Sequence, residues 1–484
     1  MGLEIENGNI AFAQAVTLTT RICNDQHKLQ ASNFKNVRRV KMTPFGFGPP
    51  DENAENNSEH NPENFDINEI MRRMQSEFQK ISPQFGFMNP ANLFGGINGL
   101  NTGSALPKEV IREVAKSFIQ AQGSQPVGAN DEAKCEEALS IANTWLDQAT
   151  VFPIVTPDHP AISPLDWLNI SIEGWHGTFE PLAVGLTDAV TKLVEEASAT
   201  MQGQVPAQLG PMAQILRGFI GSMLATQMGQ TIGALASASK GAHDAALPIV
   251  SAAKPSLLPQ TLRKFGQDLE IPETEIAIYF ALREAATVRL FESNPWLVSY
   301  MQSAIAEYGK GIHIDLDAIQ RQAEETMRNM EASGESFDPQ NPESFTIALN
   351  NGLFTPEESP QQAAALEKLE TALALIDGWV EEVITLAADN RLPSLAGLSE
   401  LLRRERVSNS PIQQLFKALF NLEVSPKRIR EATFFWHELR NKRDIETRDK
   451  VWAGLLPTEK ELLDPLAFIS STEVPDDISK LFES

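Results

Sequence analysis

From Pro107 onward, apolar residues recur every three to four positions in one segment after another. In "LPKEVIREVAKSFIQAQ" (106–122) and "DEAKCEEALSIANTWLDQAT" (131–150) they fall on one face of a 3.6-residue helix. Asn130 and Asp131, residue types that cap helix N-termini, are expected to cap the second. "SPLDWLNISIEGWHGTF" (163–179) opens with Ser-Pro, and Pro164 suits a first helical turn. The pattern predicts further helices over about 180–201, 210–239, 255–268, 272–292, 295–310 and 315–331. "GESFDPQNPESF" (334–345) interrupts it, and helices resume over about 361–388, 393–405, 410–420, 425–441 and 458–463. Neither alternating strands nor a fixed-period repeat occurs. The expected class is all-α, with a helical lobe at 107–332, a second at 343–470 and a tail at 471–484.

The first 106 residues follow no such pattern. The stretch 1–41 carries Arg21, Lys28, Lys35, Arg38, Arg39 and Lys41 without an obvious partner element, and Met42 is the expected native start. The acidic, Asn-rich run over 42–66 has too little apolar surface to order itself. "INEIMRRMQSEFQKI" (67–81) reads as a short amphipathic helix, and 82–106 as a Gly/Asn/Pro/Phe linker.

Two helical segments need more than periodicity to interpret. Gly218 to Ser239 carries no charge over 22 residues, long enough to span a bilayer. It also contains Gln227 and Gln230, and Ala225, Gly229, Gly233 and Ser237 form a small-residue ridge four apart. The expectation is a buried helix of a soluble protein, closely approached by another helix. The second segment is "YFALREAATVRLFESNPWL" (279–297), an apolar helix with Arg283 and Glu284 side by side in its middle. Phe280, Arg283, Glu284, Thr287, Val288 and Phe291 share a face. The helix after it is expected to bury Leu297, Tyr300, Met301, Ala304, Ile305 and Tyr308, with Glu307 at the edge of the stripe. Charges on a core helix are costly unless paired or used. The plainest reading pairs Arg283 with Glu307.

Composition narrows the function. The 484 residues are 42% hydrophobic and 21% charged, with a net charge of −24, which disfavours a nucleic-acid or anionic-lipid partner. The two cysteines, Cys23 and Cys135, form no CxxC, which excludes a cysteine zinc site and suggests a reducing cytoplasm. The acidic start lacks the basic region of an export signal. No GxGxxG after a strand, Walker loop or GxSxG elbow is present. Of the seven histidines, no two lie at i, i+4. His437 precedes Glu438, but Asn441 stands where HExxH needs its second histidine, so this stretch reads as a solvated helix face.

Six landmarks in order carry a family resemblance: "PFGFGP" (44–49), "ATQMGQTIGALA" (225–236), "IYFALREAATVRLFESNPWL" (278–297), "AIAEYGKGI" (304–312), "LALIDGWVEEVI" (373–384) and "RLPSLAGLSELLRRER" (391–406). With them the chain resembles the zincin-like metallopeptidases of actinobacteria. The resemblance implies a zinc-dependent, zincin-like hydrolase acting on peptides or proteins. Carried across, the two zinc histidines of HExxH fall on Arg283 and Thr287, and the water-activating glutamate on Glu284. Glu307, 20 residues beyond Thr287, stands where a third, carboxylate ligand belongs. Asp377 lies in an Asp-Gly-Trp stretch that matches an acidic-Gly-His pattern of relatives. Arginine cannot ligate zinc, and the remaining all-oxygen set would suit Mg²⁺ or Ca²⁺ better. The expectation is therefore a degenerate member without zinc, in which Arg283 replaces the metal's charge. The alternatives are a divergent, active metallohydrolase and a non-catalytic helical scaffold that binds protein.

Overall fold

A computed structural model of the protein describes residues 104–200, 209–245, 254–312, 359–409, 428–454 and 456–471, with isolated positions between some of these segments. The expectations for 1–103, the helix at 315–331, the interruption at 334–345, most of the helix at 410–420 and the tail beyond 471 lie outside the described residues. Among the described residues the protein is all-helical: two isolated bridges, both onto Leu257, are the only β-pairings.

The helices are α1 (Lys108–Ala121), α2 (Ala129–Leu146), α3 (Pro164–Thr200), α4 (Leu209–Ala236), α5 (Pro259–Gly266) and α6 (Glu273–Ser293). They continue with α7 (Trp296–Lys310), α8 (Pro360–Ala388), α9 (Leu395–Asn409), α10 (Ile429–Lys442), α11 (Ile445–Lys450) and α12 (Pro465–Ser471). In α1 the periodic residues Ile111, Val114, Ala115 and Ile119 are the buried ones. Each large apolar side chain so buried stabilises by about 1.5–3 kcal/mol. They pack on α4 through its small-residue ridge. A Cβ on Gly229 would lie 2.7 Å from the Val114 Cβ, and one on Gly233 would lie 2.8 Å from the Phe118 Cβ. The ridge is thus a helix-packing surface, and among the described residues no helix is long and apolar enough to cross a membrane.

Two local expectations change. The N-cap of α2 is Gly128, without a side-chain cap bond, so Asn130 and Asp131 fall in the first turn. There Asp131 pairs with Arg263 of α5 at 2.7 Å. The helices expected at 163–179 and 180–201 are one continuous α3, with Pro181 inside it. Proline removes one backbone hydrogen bond, but Phe179, Leu182 and Ala183 are fully buried around it. Tertiary burial outweighs the break.

At the centre lie α6 and α8. In α6 every residue from Tyr279 to Phe291 is buried, and α8 is buried from Ala372 to Val380. A helix covered on all sides belongs in a core. α6 packs against α2 and α8, α8 also against α7 and α10, and α3 against α4 and α7. One continuous apolar cluster includes residues from Ala105 to Phe468. Arg283, Glu284 and Arg289 of α6 are therefore held inside the protein, where each must find a partner.

Candidate functional site

Arg283 and Glu284 leave α6 in different directions, as adjacent helical positions must. Glu284 meets the connection between α4 and α5. Its Oε1 accepts hydrogen bonds from His243 Nδ1 at 2.8 Å and from the Ser256 amide at 3.2 Å, and its Oε2 accepts one from the His243 amide at 3.0 Å. The Glu284 side chain is 2% exposed and that of His243 1%. Nδ1 donates to the carboxylate, and among the described residues the buried Nε2 on the other side of the ring has no hydrogen-bond partner. Gly241 lets the loop lie this close, because a Cβ there would come within 2.4 Å of Glu284 Oε2. The carboxylate thus fastens both arms of the loop, at His243 and at Ser256.

Arg283 points to α8. Its Nη2 donates to Asp377 Oδ1 at 3.1 Å, and its Nη1 to Glu381 Oε2 at 3.1 Å. Asp377 and Glu381 are one helical turn apart, so one guanidinium spans both. Arg406 of α9 donates to the same Asp377 Oδ1, and to the backbone oxygen and Oδ1 of Asp244 at 3.2 and 3.3 Å. Arg403 lies 3.7 Å from Glu381, and Lys240 pairs with Glu405 at 2.6 Å. The Thr287 hydroxyl donates back to the Arg283 carbonyl at 2.9 Å.

The electrostatics agree with the geometry. Burial pushes the Asp244 carboxyl up, but Lys240, Arg406 and the Lys240 amide outweigh it and hold it below the usual carboxylate range. Burial also disfavours charge on Arg406, yet Asp377 and Asp244 raise its guanidinium above the ordinary arginine value. Burial raises the Tyr279 phenol, whose oxygen lies 3.4 Å from Ser399 Oγ.

Of the residues expected at the site, Arg283 and Asp377 are brought into direct contact, with Thr287 one turn along the same face. Glu307 is not among them. It is exposed on α7, with Ser303 at 3.1 Å and Lys368 at 3.7 Å. The expected Arg283–Glu307 pair is replaced by Arg283 with Asp377 and Glu381, because α8 rather than α7 covers this face of α6. Trp379 donates to Asp449 at 2.9 Å. His437 lies on α10, bonded to Glu382 and Asn441. Sequence reasoning missed His243, Asp244, Glu381 and Arg406. For Glu381 a signal was available, its i, i+4 spacing from Asp377; the others join the site only through the tertiary fold. Among the described residues no group of three or more His, Cys, Asp or Glu side chains is arranged to hold a metal ion.

Comparison with known proteins places the chain. No curated protein matches it. Among solved structures it is similar to a candidate hydrolase with a novel fold from Chloroflexus aurantiacus, at 16% identity and a TM-score of 0.50. That match covers 76% of this chain and 100% of the other, and it speaks to the fold. Residues 108–469 match the family description of the zincin-like metallopeptidases. The span runs from the start of α1 into α12 and includes α6 with Arg283, Glu284 and Thr287. The chain belongs to the zincin-like metallopeptidase family.

Proposed function

We propose that this chain is a family member in which a buried ion-pair network has replaced the zinc centre, and that it acts by binding a polypeptide rather than by cleaving one. The observation that carries this reading is the bonding of Glu284. Both of its oxygens are taken by N–H donors from the α4–α5 loop, and its side chain is 2% exposed. To take a proton from a water molecule it would give up the negative charge to which those three N–H donors bond, in a place almost closed to solvent.

The chemistry of the donor set points the same way. A zinc site takes imidazole, thiolate or carboxylate ligands and keeps an open position for catalysis. At the two histidine positions of the motif stand a guanidinium, which repels a dication, and a hydroxyl that donates to its own helix. These residues do not fit zinc. Arg283 and Arg406 supply the positive charge that the carboxylates Asp377, Glu381 and Asp244 require. The polypeptide partner follows from the family, whose fold the chain retains. The low cysteine count supports work in a reducing cytoplasm.

The test is hydrolysis of a mixed peptide library and of unfolded casein by the full chain, with excess zinc. The reading expects no cleavage above buffer, with retention of some peptides on the immobilised protein. Zinc-dependent cleavage that Glu284→Gln removes would overturn it.

A further inference from the structure

α9 is fastened differently from the helices beside it. Its buried side chains among the described positions are Leu398, Ser399 and Leu402, whereas α6 is buried along most of its length. Besides Leu395, which packs against the core half-buried, its attachments among the described residues are polar: Arg406 on Asp377 and Asp244, Glu405 on Lys240, Arg403 near Glu381, and Ser399 near the Tyr279 hydroxyl. A helix with few buried apolar contacts opens at lower free energy than the core it covers.

The end of α9 also fills a seat of defined chemistry. Among the described residues the Arg406 guanidinium bonds to three acceptors: Asp377 Oδ1, Asp244 Oδ1 and the Asp244 carbonyl. They come from two elements, α8 and the α4–α5 loop, and they suit a planar fork of N–H donors better than a compact ammonium. Arg283 approaches Asp377 separately and is spanned between it and Glu381, so it braces the seat without filling it. With α9 lifted, Asp244, Asp377 and Glu381 would keep Arg283 and Lys240 among the described cations and lose Arg406 and Arg403. Three carboxylates beside two cations leave an excess of negative charge that a further cation would relieve. Opening is therefore linked to the arrival of another cation, and the acceptor geometry selects a guanidinium.

We propose that α9 is a lid whose Arg406 occupies, in cis, a guanidinium seat formed by Asp244 and Asp377, and that the open lid admits an arginine side chain of a polypeptide partner. The proposal rests on the polypeptide-binding reading and names the side chain recognised.

The experiment uses the full chain carrying Arg406→Ala, with N-acetyl-arginine amide and N-acetyl-lysine amide as probes. At saturation the arginine probe should raise the melting temperature of the variant by about 2 °C or more. The lysine probe should do less, the wild type should not respond, and Asp377→Asn added to the variant should abolish the response. A folded variant that ignores the arginine probe, or responds equally to both probes, overturns the seat. Hydrogen exchange on the wild type tests the lid without any substitution and keeps the proposal open to refutation if the variant does not fold. The α9 amides should exchange about tenfold or more faster than those of α6 and α8, and equal protection of α9 and α6 would overturn the lid. Zinc-dependent hydrolysis would count against the reading beneath this proposal and moves neither readout, so the two failures are distinguishable.

Discussion

Glu284→Gln separates a structural from a catalytic glutamate. The carboxylate accepts two hydrogen bonds at Oε1 and one at Oε2, all from N–H donors. An amide has one acceptor end and one donor end. With its oxygen at the Oε1 place, its NH₂ faces the His243 amide; turned over, it faces both the His243 ring and the Ser256 amide. Either way at least one buried N–H loses its acceptor and meets another donor. A hydrogen bond to a charged group contributes about 1.5–3 kcal/mol, and a stranded buried donor costs about 1–3 kcal/mol. The expected loss is therefore about 3 kcal/mol, which for a body of this size lowers the melting temperature by about 5 °C. Thermal unfolding followed by calorimetry and circular dichroism measures it, and hydrogen exchange should show the loop from Lys240 to Leu258 loosening first. A catalytic base is placed for chemistry at the expense of stability, and its amide variant commonly folds as well or better. A melting temperature unchanged to within about 1 °C would refute the structural assignment.

Arg283→Met should cost about 1.5–3 kcal/mol, because Asp377 would lose one of its two guanidinium donors and the half-buried Glu381 would be left with Arg403 at 3.7 Å. Adding Asp377→Asn should restore part of that loss, while Glu307→Gln, on an exposed side chain, should leave thermal unfolding unchanged. Asp244 titrates below the ordinary carboxylate value in the folded protein, so its stabilisation is present above about pH 4 and is lost as pH falls through its folded value. Asp244→Asn should thus be less stable at neutral pH yet lose less than the wild type between about pH 5 and pH 3 in denaturant titrations. Gly233→Leu should cost about 1–3 kcal/mol or more by forcing α4 away from Phe118 and the Ala115 carbonyl; an unchanged melting temperature would contradict the packing. Burial first, then Asp131, pushes the Cys135 thiol up to about 12. Peptide mapping after iodoacetamide treatment at pH 8 should find Cys135 unmodified in the native protein and modified after unfolding.

The helices most legible in the sequence are those with one apolar face, such as α1, and those buried all round, such as α6, where the apolar run itself is the signal. Breaks were less legible. The break expected between 179 and 180 is absent, because burial of the residues around Pro181 carries α3 through it. α11 and α12 are only six and seven residues long, too short to show a period. At the site, the adjacent charges Arg283 and Glu284 stand out because charge on a buried stretch of helix demands a partner. The partners themselves are distant in sequence: His243 lies 41 positions from Glu284, and Asp377 94 from Arg283. Periodicity can rank which face of α6 is buried, but not which helix covers it. Glu307 seemed the natural partner because α7 follows α6 directly, whereas α8 takes that place in the fold.

The central claim is that guanidinium groups, and not a metal ion, neutralise the carboxylates around α6. The most direct measurement is the metal content of the full chain, incubated with excess zinc, desalted and analysed by plasma mass spectrometry alongside Arg283→Ala and Glu284→Gln. The account predicts far less than one zinc per wild-type chain. One tightly held zinc per chain, lost in Glu284→Gln, would contradict it.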